Sequence, residues 1–92
     1  MVRPHRFRRI RFAPDVTYYK PAGVPFRSLK EEVLRMDELE AIRLCDSEGL
    51  KQEEAANKMG ISQPTLFRIL SKARKKVADA LIKGKAIRIE KE

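Results

Sequence analysis

The chain has 92 residues, 42% of them hydrophobic and 37% charged, with a formal net charge of +8. That is one small domain with little room for a buried catalytic cleft. No apolar run approaches the roughly 20 residues of a membrane span, and no apolar segment follows the basic N-terminus as a signal peptide would require. A cytoplasmic protein with no membrane partner is expected.

Residues 1–28 hold four of the five prolines, which excludes a long helix. Within them "RRIRFA" alternates, Ile10 and Phe12 to one side and Arg9 and Arg11 to the other, the period of a short half-buried strand. "YYKPAGVPF" reads as an ordered loop whose aromatic residues cover one end of a helical core. The first helix is expected to start at Asp37, with Asp37 and Glu40 at capping-box spacing and acids in the first turn where the helix dipole favours them. Leu39, Ile42 and Cys45 form its apolar stripe, and Gly49 is a suitable stop. A second helix covers about Gln52 to Met59 with Ala55, Ala56 and Met59 inward.

Ser62 is the expected N-cap of a third helix, Pro64 is tolerated in its first turn, and Gly84 ends it after about Lys83. Its apolar positions are Leu66, Ile69, Leu70, Ala73, Val77, Ala80 and Leu81, the stripe of an amphipathic helix. The tail "KAIRIEKE" alternates at Ile87 and Ile89. A two-stranded ribbon with "RRIRFA" is its expected pairing, within one chain or between two.

Charge is segregated along this plan. Residues 1–30 carry eight Lys or Arg and one acid, residues 31–57 three and nine, and residues 58–92 ten and three. Two basic segments flanking an acidic one suggest an oriented surface for a polyanion. A general Lys/Glu-rich surface, as in thermophilic proteins, explains the charged fraction but not the segregation. Cys45 is the only cysteine and His5 the only histidine. No disulfide can form within the chain, no zinc site can rest on thiolates, and any His-dependent nucleophile would need His5, far in sequence from Cys45. The expectation is a non-enzyme with no cofactor and no metal.

The second and third helices have the composition of a helix-turn-helix. Ala56 is small where a second helix must approach, Gly60 tolerates the turn's positive φ, and Ile61, Leu66 and Ile69 supply apolar contacts across it. Such spacing also recurs in other helical proteins. Independent support comes from the third helix: Thr65, Arg68, Lys72 and Lys75 lie opposite its apolar stripe, and Asp79 is the only acid between Glu54 and Glu90. Glutamate serves a solvated helix face as well as lysine does, so its absence favours contact with phosphate.

"LKQEEAANKMGISQPTLFRILSKARKKVADAL" resembles region 4 of bacterial sigma factors, whose helix-turn-helix reads promoter DNA. More closely, the "RP" near the start, "YYKPAGVP" and "DELEAIRLCDSEGLKQEEAANKMGISQPTLFRILSKARKKVADALIKGKAIRI" resemble uncharacterised protein family 0251, small prokaryotic proteins predicted to bind DNA. The likeness covers nearly the whole chain and implies a DNA-binding domain like sigma region 4. Where that family often carries cysteines just after the "RP", this chain has His5, Arg6 and Phe7, so no metal role carries over.

The expected fold is therefore mainly α: a three-helix, sigma-region-4-like helix-turn-helix domain over residues 29–92, preceded by a basic extended arm and loop over 1–28, with room for the small ribbon. In this frame the start of the third helix reaches base edges. Arg68 is the leading reader, through bidentate contact to guanine, against the competing assignment of a phosphate contact or a surface ion pair. Gln63 suits adenine or is only a first-turn polar residue, while Pro64 and Thr65 suit a thymine methyl or a phosphate. Ser62, Ser71, Lys72, Lys75 and Lys76 are assigned to phosphate contacts, which orient without reading sequence. Phe67 is expected to pack in the core, and Tyr18 and Tyr19 in the loop rather than against bases. Arg3 and Arg6 are candidates for a minor-groove arm.

The function this suggests is sequence-specific binding of double-stranded DNA by a transcriptional regulator, as a homodimer on two half-sites, with Ile87 and Ile89 or the Ile10 strand as interface. The alternative is an adaptor that docks on RNA polymerase or a sigma-like partner through the acidic helix 37–48.

Overall fold

The computed structural model describes residue 10 and residues 13–91. Three helices and a three-stranded mixed sheet make up these residues. Strand β1 is Tyr18–Tyr19 and strand β2 is Glu31–Arg35. Helix α1, Met36–Ile42, runs on into a π-helical turn over Arg43–Ser47, where the Glu48 amide donates to the Arg43 carbonyl five residues back at 2.9 Å. Helix α2 is Gln52–Met59, helix α3 is Gln63–Lys83 and strand β3 is Ala86–Glu90.

The helical half follows the periodicity of the sequence. Ala55, Ala56 and Met59 of α2 meet Leu66 and Leu70 of α3 and Ala41 and Leu44 in one buried cluster. Between α2 and α3 the chain turns in three residues. Gly60 sits at φ 68°, a left-handed conformation that costs an L residue roughly 1–2 kcal/mol. From that position its amide donates to Asn57 O at 3.2 Å and the Ile61 amide to Ala56 O at 3.0 Å, satisfying the last carbonyls of α2. Ser62 caps α3 as expected, its Oγ accepting from the Thr65 amide at 3.2 Å.

The sheet departs from the expected ribbon. The tail strand β3 is central: it pairs with β2 in parallel, Leu34 opposite Ile89, and with β1 in antiparallel, Tyr19 opposite Ile87. Ile10 stands outside any strand, and Arg9, Arg11 and Phe12 lie outside the described residues. Tyr18 and Tyr19 are a strand, not loop packing. The aromatic residues around them do not cover the helical core either, because Phe26 is exposed, with its ring 5.9 Å from that of Tyr18 and Lys20 Nζ 5.7 Å from its centroid. Leu34 and Ile89 are buried with Ala73 of α3 in a second cluster. Ile89 therefore belongs to the interior, and Ile87 is half-buried beside it, so the pair does not offer the exposed interface expected of them.

Helix α1 begins at Met36 rather than Asp37, and its cap is formed by the Arg35 amide donating to Glu38 Oε1 at 2.9 Å. Asp37, Glu38 and Glu40 are buried. Lys76 of α3 donates to Glu38 Oε1 at 2.9 Å and Arg43 to both oxygens of Glu40 at 2.9 Å, while Arg35 Nε lies 3.6 Å from Asp37. Of these pairs, Lys76–Glu38 ties the acidic segment to α3, and the other two are local to it.

Lys76 also seals a sheet edge. The carbonyl of Lys30 accepts from the Ala86 amide, so the alternate groups of Glu31, Val33 and Arg35 point away from β3. The Val33 carbonyl on that outer edge accepts from Lys76 Nζ at 2.7 Å, and the Arg35 amide is taken by Glu38. An edge blocked this way is a poor template for further strand pairing. Among the described residues no helix is long and apolar enough to cross a membrane.

Candidate nucleic-acid interface

Successive residues of a helix are offset by 100°. Burial of Leu66, Leu70, Ala73 and Ala80 therefore turns Arg68, Lys72 and Lys75 to the opposite side of α3, and all three are exposed. Gln63 and Pro64 stand exposed in the first turn. Thr65 is half-buried, its Oγ1 accepting from Ser62 Oγ at 2.9 Å and from Arg68 Nη2 at 3.4 Å. Ser62, Thr65 and Arg68 thus form one hydrogen-bonded chain at the head of α3. The Ser62 hydroxyl works within that cap and Ser71 is exposed one turn beyond Arg68.

Neither Arg68 nor Lys72 pairs with a carboxylate among the described residues. Lys75 has only Asp79 Oδ2, at 3.4 Å on the solvent side. Two other cations of the helix, Arg74 and Lys76, are engaged. Arg74 grips Asp46 with two hydrogen bonds of 2.7 and 3.1 Å, which holds the Asp46 carboxyl below the usual aspartate range and fastens the π turn to α3. Lys76 corrects the phosphate assignment. Its side chain is only 22% exposed and its ammonium is spent on Val33 O and Glu38. Phe67 is likewise corrected, being 55% exposed beside Arg68 rather than packed in the core. Arg3 and Arg6 lie outside the described residues.

Asn57 and Lys58 on the outer side of α2 were not among the expected contacts, and both are exposed. Their position was readable, because the same 100° offset that turns Ala55, Ala56 and Met59 inward turns them outward. Cys45 is half-buried in the π turn, and burial, then the neighbouring Asp46 charge, pushes its thiol up, away from the reactive thiolate. Among the described residues no group of three or more His, Cys, Asp or Glu side chains converges as a metal site would.

Residues 1–91 match the family described as "Protein of unknown function DUF134". The chain is 62% identical over 90 residues to a UPF0251 protein of Moorella thermoacetica, covering 98% of this chain and 60% of that one. The chain belongs to the UPF0251 family. Other UPF0251 relatives include one from Caldanaerobacter subterraneus, 57% identical over 98% of this chain and 76% of its own, and one from a Thermoanaerobacter species, 58% identical over 98% and 80%. This UPF0251 chain therefore spans only three-fifths of the length of the Moorella relative. No solved structure matches it.

Proposed function

We propose that this UPF0251 chain binds double-stranded DNA sequence-specifically, as a transcriptional regulator with a sigma-region-4-like helix-turn-helix formed by α2 and α3. The observation that carries the reading is the first half of α3: a helix face with Arg68 and Lys72 exposed and without acidic partners among the described residues. A cationic face left uncompensated loses nothing in water and gains when it displaces counterions from a phosphate backbone. The head of such a helix fits the roughly 12 Å width of the major groove of B-DNA.

In this arrangement Arg68 reads a guanine, Gln63 an adenine, and Pro64 and Thr65 lie against a thymine methyl or the sugar-phosphate backbone. The Ser62–Thr65–Arg68 chain orients the guanidinium before DNA arrives, which lowers the ordering cost of the contact. Ser71, Lys72 and Lys75 take phosphates on one strand. Asn57 and Lys58 of α2 take the backbone that the first helix of such a motif crosses.

Docking on RNA polymerase through the helix 37–48 draws less support. Asp37, Glu38 and Glu40 are buried, so reversing their charge would break the fold before it tested a surface. A salt titration tests the DNA reading. Lys72→Ala should weaken binding to all duplexes alike and lower the slope of log affinity against log salt by about 1. An unchanged slope and affinity would remove Lys72 from the interface.

A further inference from the structure

At the end of α3 opposite its head, two segments far apart in sequence bring lysines to one concavity. The helix closes at Gly84, φ 68°, with the Lys85 amide donating to Ala80 O at 2.9 Å, and the chain turns into β3. There the Ala86 amide donates to Lys30 O at 2.8 Å, which fixes the run leading into β2 beside the turn. Between the two segments lies a cavity of about 370 Å³ lined by Ser28, Lys30, Lys83, Gly84 and Lys85.

The positive charge of this cavity is not balanced from within the domain. Lys30 and Lys83 are exposed, and neither meets a carboxylate among the described residues. Lys85 is held by Glu32 at 2.9 Å, and an ammonium so held has further N–H donors to spare. Acids on adjoining elements are already answered, Asp79 by Lys75 at 3.4 Å and Glu31 by Arg88 at 3.1 Å. A lysine in the last turn of a helix offsets the negative end of its dipole, which accounts for Lys83. It does not account for Lys30, which belongs to no helix, or for the meeting of three lysines with the Ser28 hydroxyl around one cavity. Ammonium groups gathered without carboxylates repel one another until an anion joins them.

Gly84 and Lys85 also line a second, apolar depression of about 230 Å³, bounded by Tyr19, Pro21, Leu81 and Ile87. Tyr19 and Leu81 are exposed there, an aromatic and an aliphatic side chain beside the lysine cavity. Lys20, its Nζ 3.2 Å from Pro21 O, adds at that edge another ammonium without a carboxylate partner among the described residues.

We infer that the two cavities form one site for a small phosphomonoester, with the phosphate among Lys30, Lys83 and Lys85 and an apolar or aromatic body against Tyr19 and Leu81. A phosphate monoester carries about −1.5 to −2 charges at pH 7 and three strong acceptor oxygens. Those oxygens match the three ammonium groups and the Ser28 hydroxyl, and lysine serves a phosphate as a point charge without a fixed fork. An apolar wall next to a few polar groups is the usual make-up of a small-molecule site. Arg68 lies about 24 Å from Gly84 along α3 at 1.5 Å per residue. The site is therefore separate from the face assigned to DNA and does not rest on that reading.

Titration of the full chain with adenosine monophosphate, inorganic phosphate and adenosine, followed by amide chemical shifts at near-physiological salt, tests the site. Adenosine monophosphate should give saturable shifts at Ser28, Lys30, Gly84 and Lys85 and also at Tyr19 and Leu81. Inorganic phosphate should move the first group alone and bind more weakly, and adenosine should saturate neither. Lys30→Ala with Lys83→Ala removes two charge-assisted contacts, each worth about tenfold or more, and should weaken adenosine monophosphate at least that much. Both side chains are exposed, so circular dichroism and Tm should be unchanged. Lys51→Ala with Lys91→Ala removes the same charge elsewhere and should keep the affinity within about twofold of wild type.

Adenosine monophosphate that gives no saturable shifts, a Lys30/Lys83 variant that binds it as wild type does, or a control variant that loses as much overturns the proposal. Inorganic phosphate binding as tightly as the monoester would overturn the apolar half. Duplex DNA that shifts the same amides and loses affinity in the Lys30/Lys83 variant would make these lysines part of the DNA surface, and would overturn it too.

Discussion

Lys76 and Lys75 are neighbours in sequence with opposite expected consequences, and replacing each tests whether the geometry separates structural from binding cations. Lys76 Nζ donates to Val33 O at 2.7 Å and to Glu38 Oε1 at 2.9 Å, with side-chain exposures of 22% for Lys76 and 3% for Glu38. Lys76→Ala leaves a buried carboxylate with the Arg35 amide, at 2.9 Å, as its remaining partner among the described residues and strips the donor from a sheet-edge carbonyl. Removing one member of a fully buried pair costs about 3–5 kcal/mol. Partial access of water to Lys76 lowers the expectation to about 2–3 kcal/mol. A domain of this size has roughly 5–14 kcal/mol in all. The loss should appear in urea denaturation followed by circular dichroism as a lower midpoint with an unchanged slope. Lys76→Met with Glu38→Gln should recover part of it, because the stranded charge is gone. Lys75→Ala, on the exposed face, should stay within about 0.5 kcal/mol of wild type. A Lys76→Ala chain as stable as wild type that has lost DNA affinity would refute the assignment and return Lys76 to the phosphate contacts.

Further outcomes follow from the caps and ion pairs. Ser62→Ala removes the acceptor of the Thr65 amide and should cost about 1 kcal/mol, a fall in Tm of about 4–8 °C; an unchanged Tm would mean the cap contributes nothing. Asp46→Asn should cost no more than about 0.5 kcal/mol at pH 7, since the Arg74 pair is half-exposed. The folded Asp46 carboxyl is depressed chiefly by hydrogen bonding from Arg74, so the unfolded chain binds the extra proton. The pair's contribution is full above the ordinary aspartate range, near pH 4, and is lost as pH falls through the folded value. Urea midpoints of wild type and Asp46→Asn should therefore converge as pH falls below about 4; a constant gap would contradict the ion pair.

What could be read in advance was local. Helices α2 and α3, the Ser62 cap and the left-handed Gly60 follow from spacings of three or four residues and from turn chemistry that needs no distant partner. Strand β2 was missed because "EEVLR" offers two acids and an arginine around only two apolar residues, and its partner lies 55 residues on, Glu31 opposite Ala86. Long-range parallel pairing leaves little trace in a short window. The buried acids of α1 were misread for the same reason. Nothing near Glu38 in sequence announces Lys76, and only the docking of β2 against α3 brings them together. On α3 itself, Arg68, Lys72, Lys75 and Lys76 are chemically similar. What divides them is whether another element reaches that side of the helix, which β2 does for Lys76 alone among these four.

The central claim is that the head of α3 reads base sequence. Selection from random duplex DNA at near-physiological salt, where non-specific binding is weakened, tests it most directly when run with the wild type and with Arg68→Ala. The account predicts an enriched motif for the wild type, with preference relaxed at one base pair in the variant by about 1–3 kcal/mol. Wild-type selection that enriches no motif, or a variant whose motif is unchanged at every position, would contradict it.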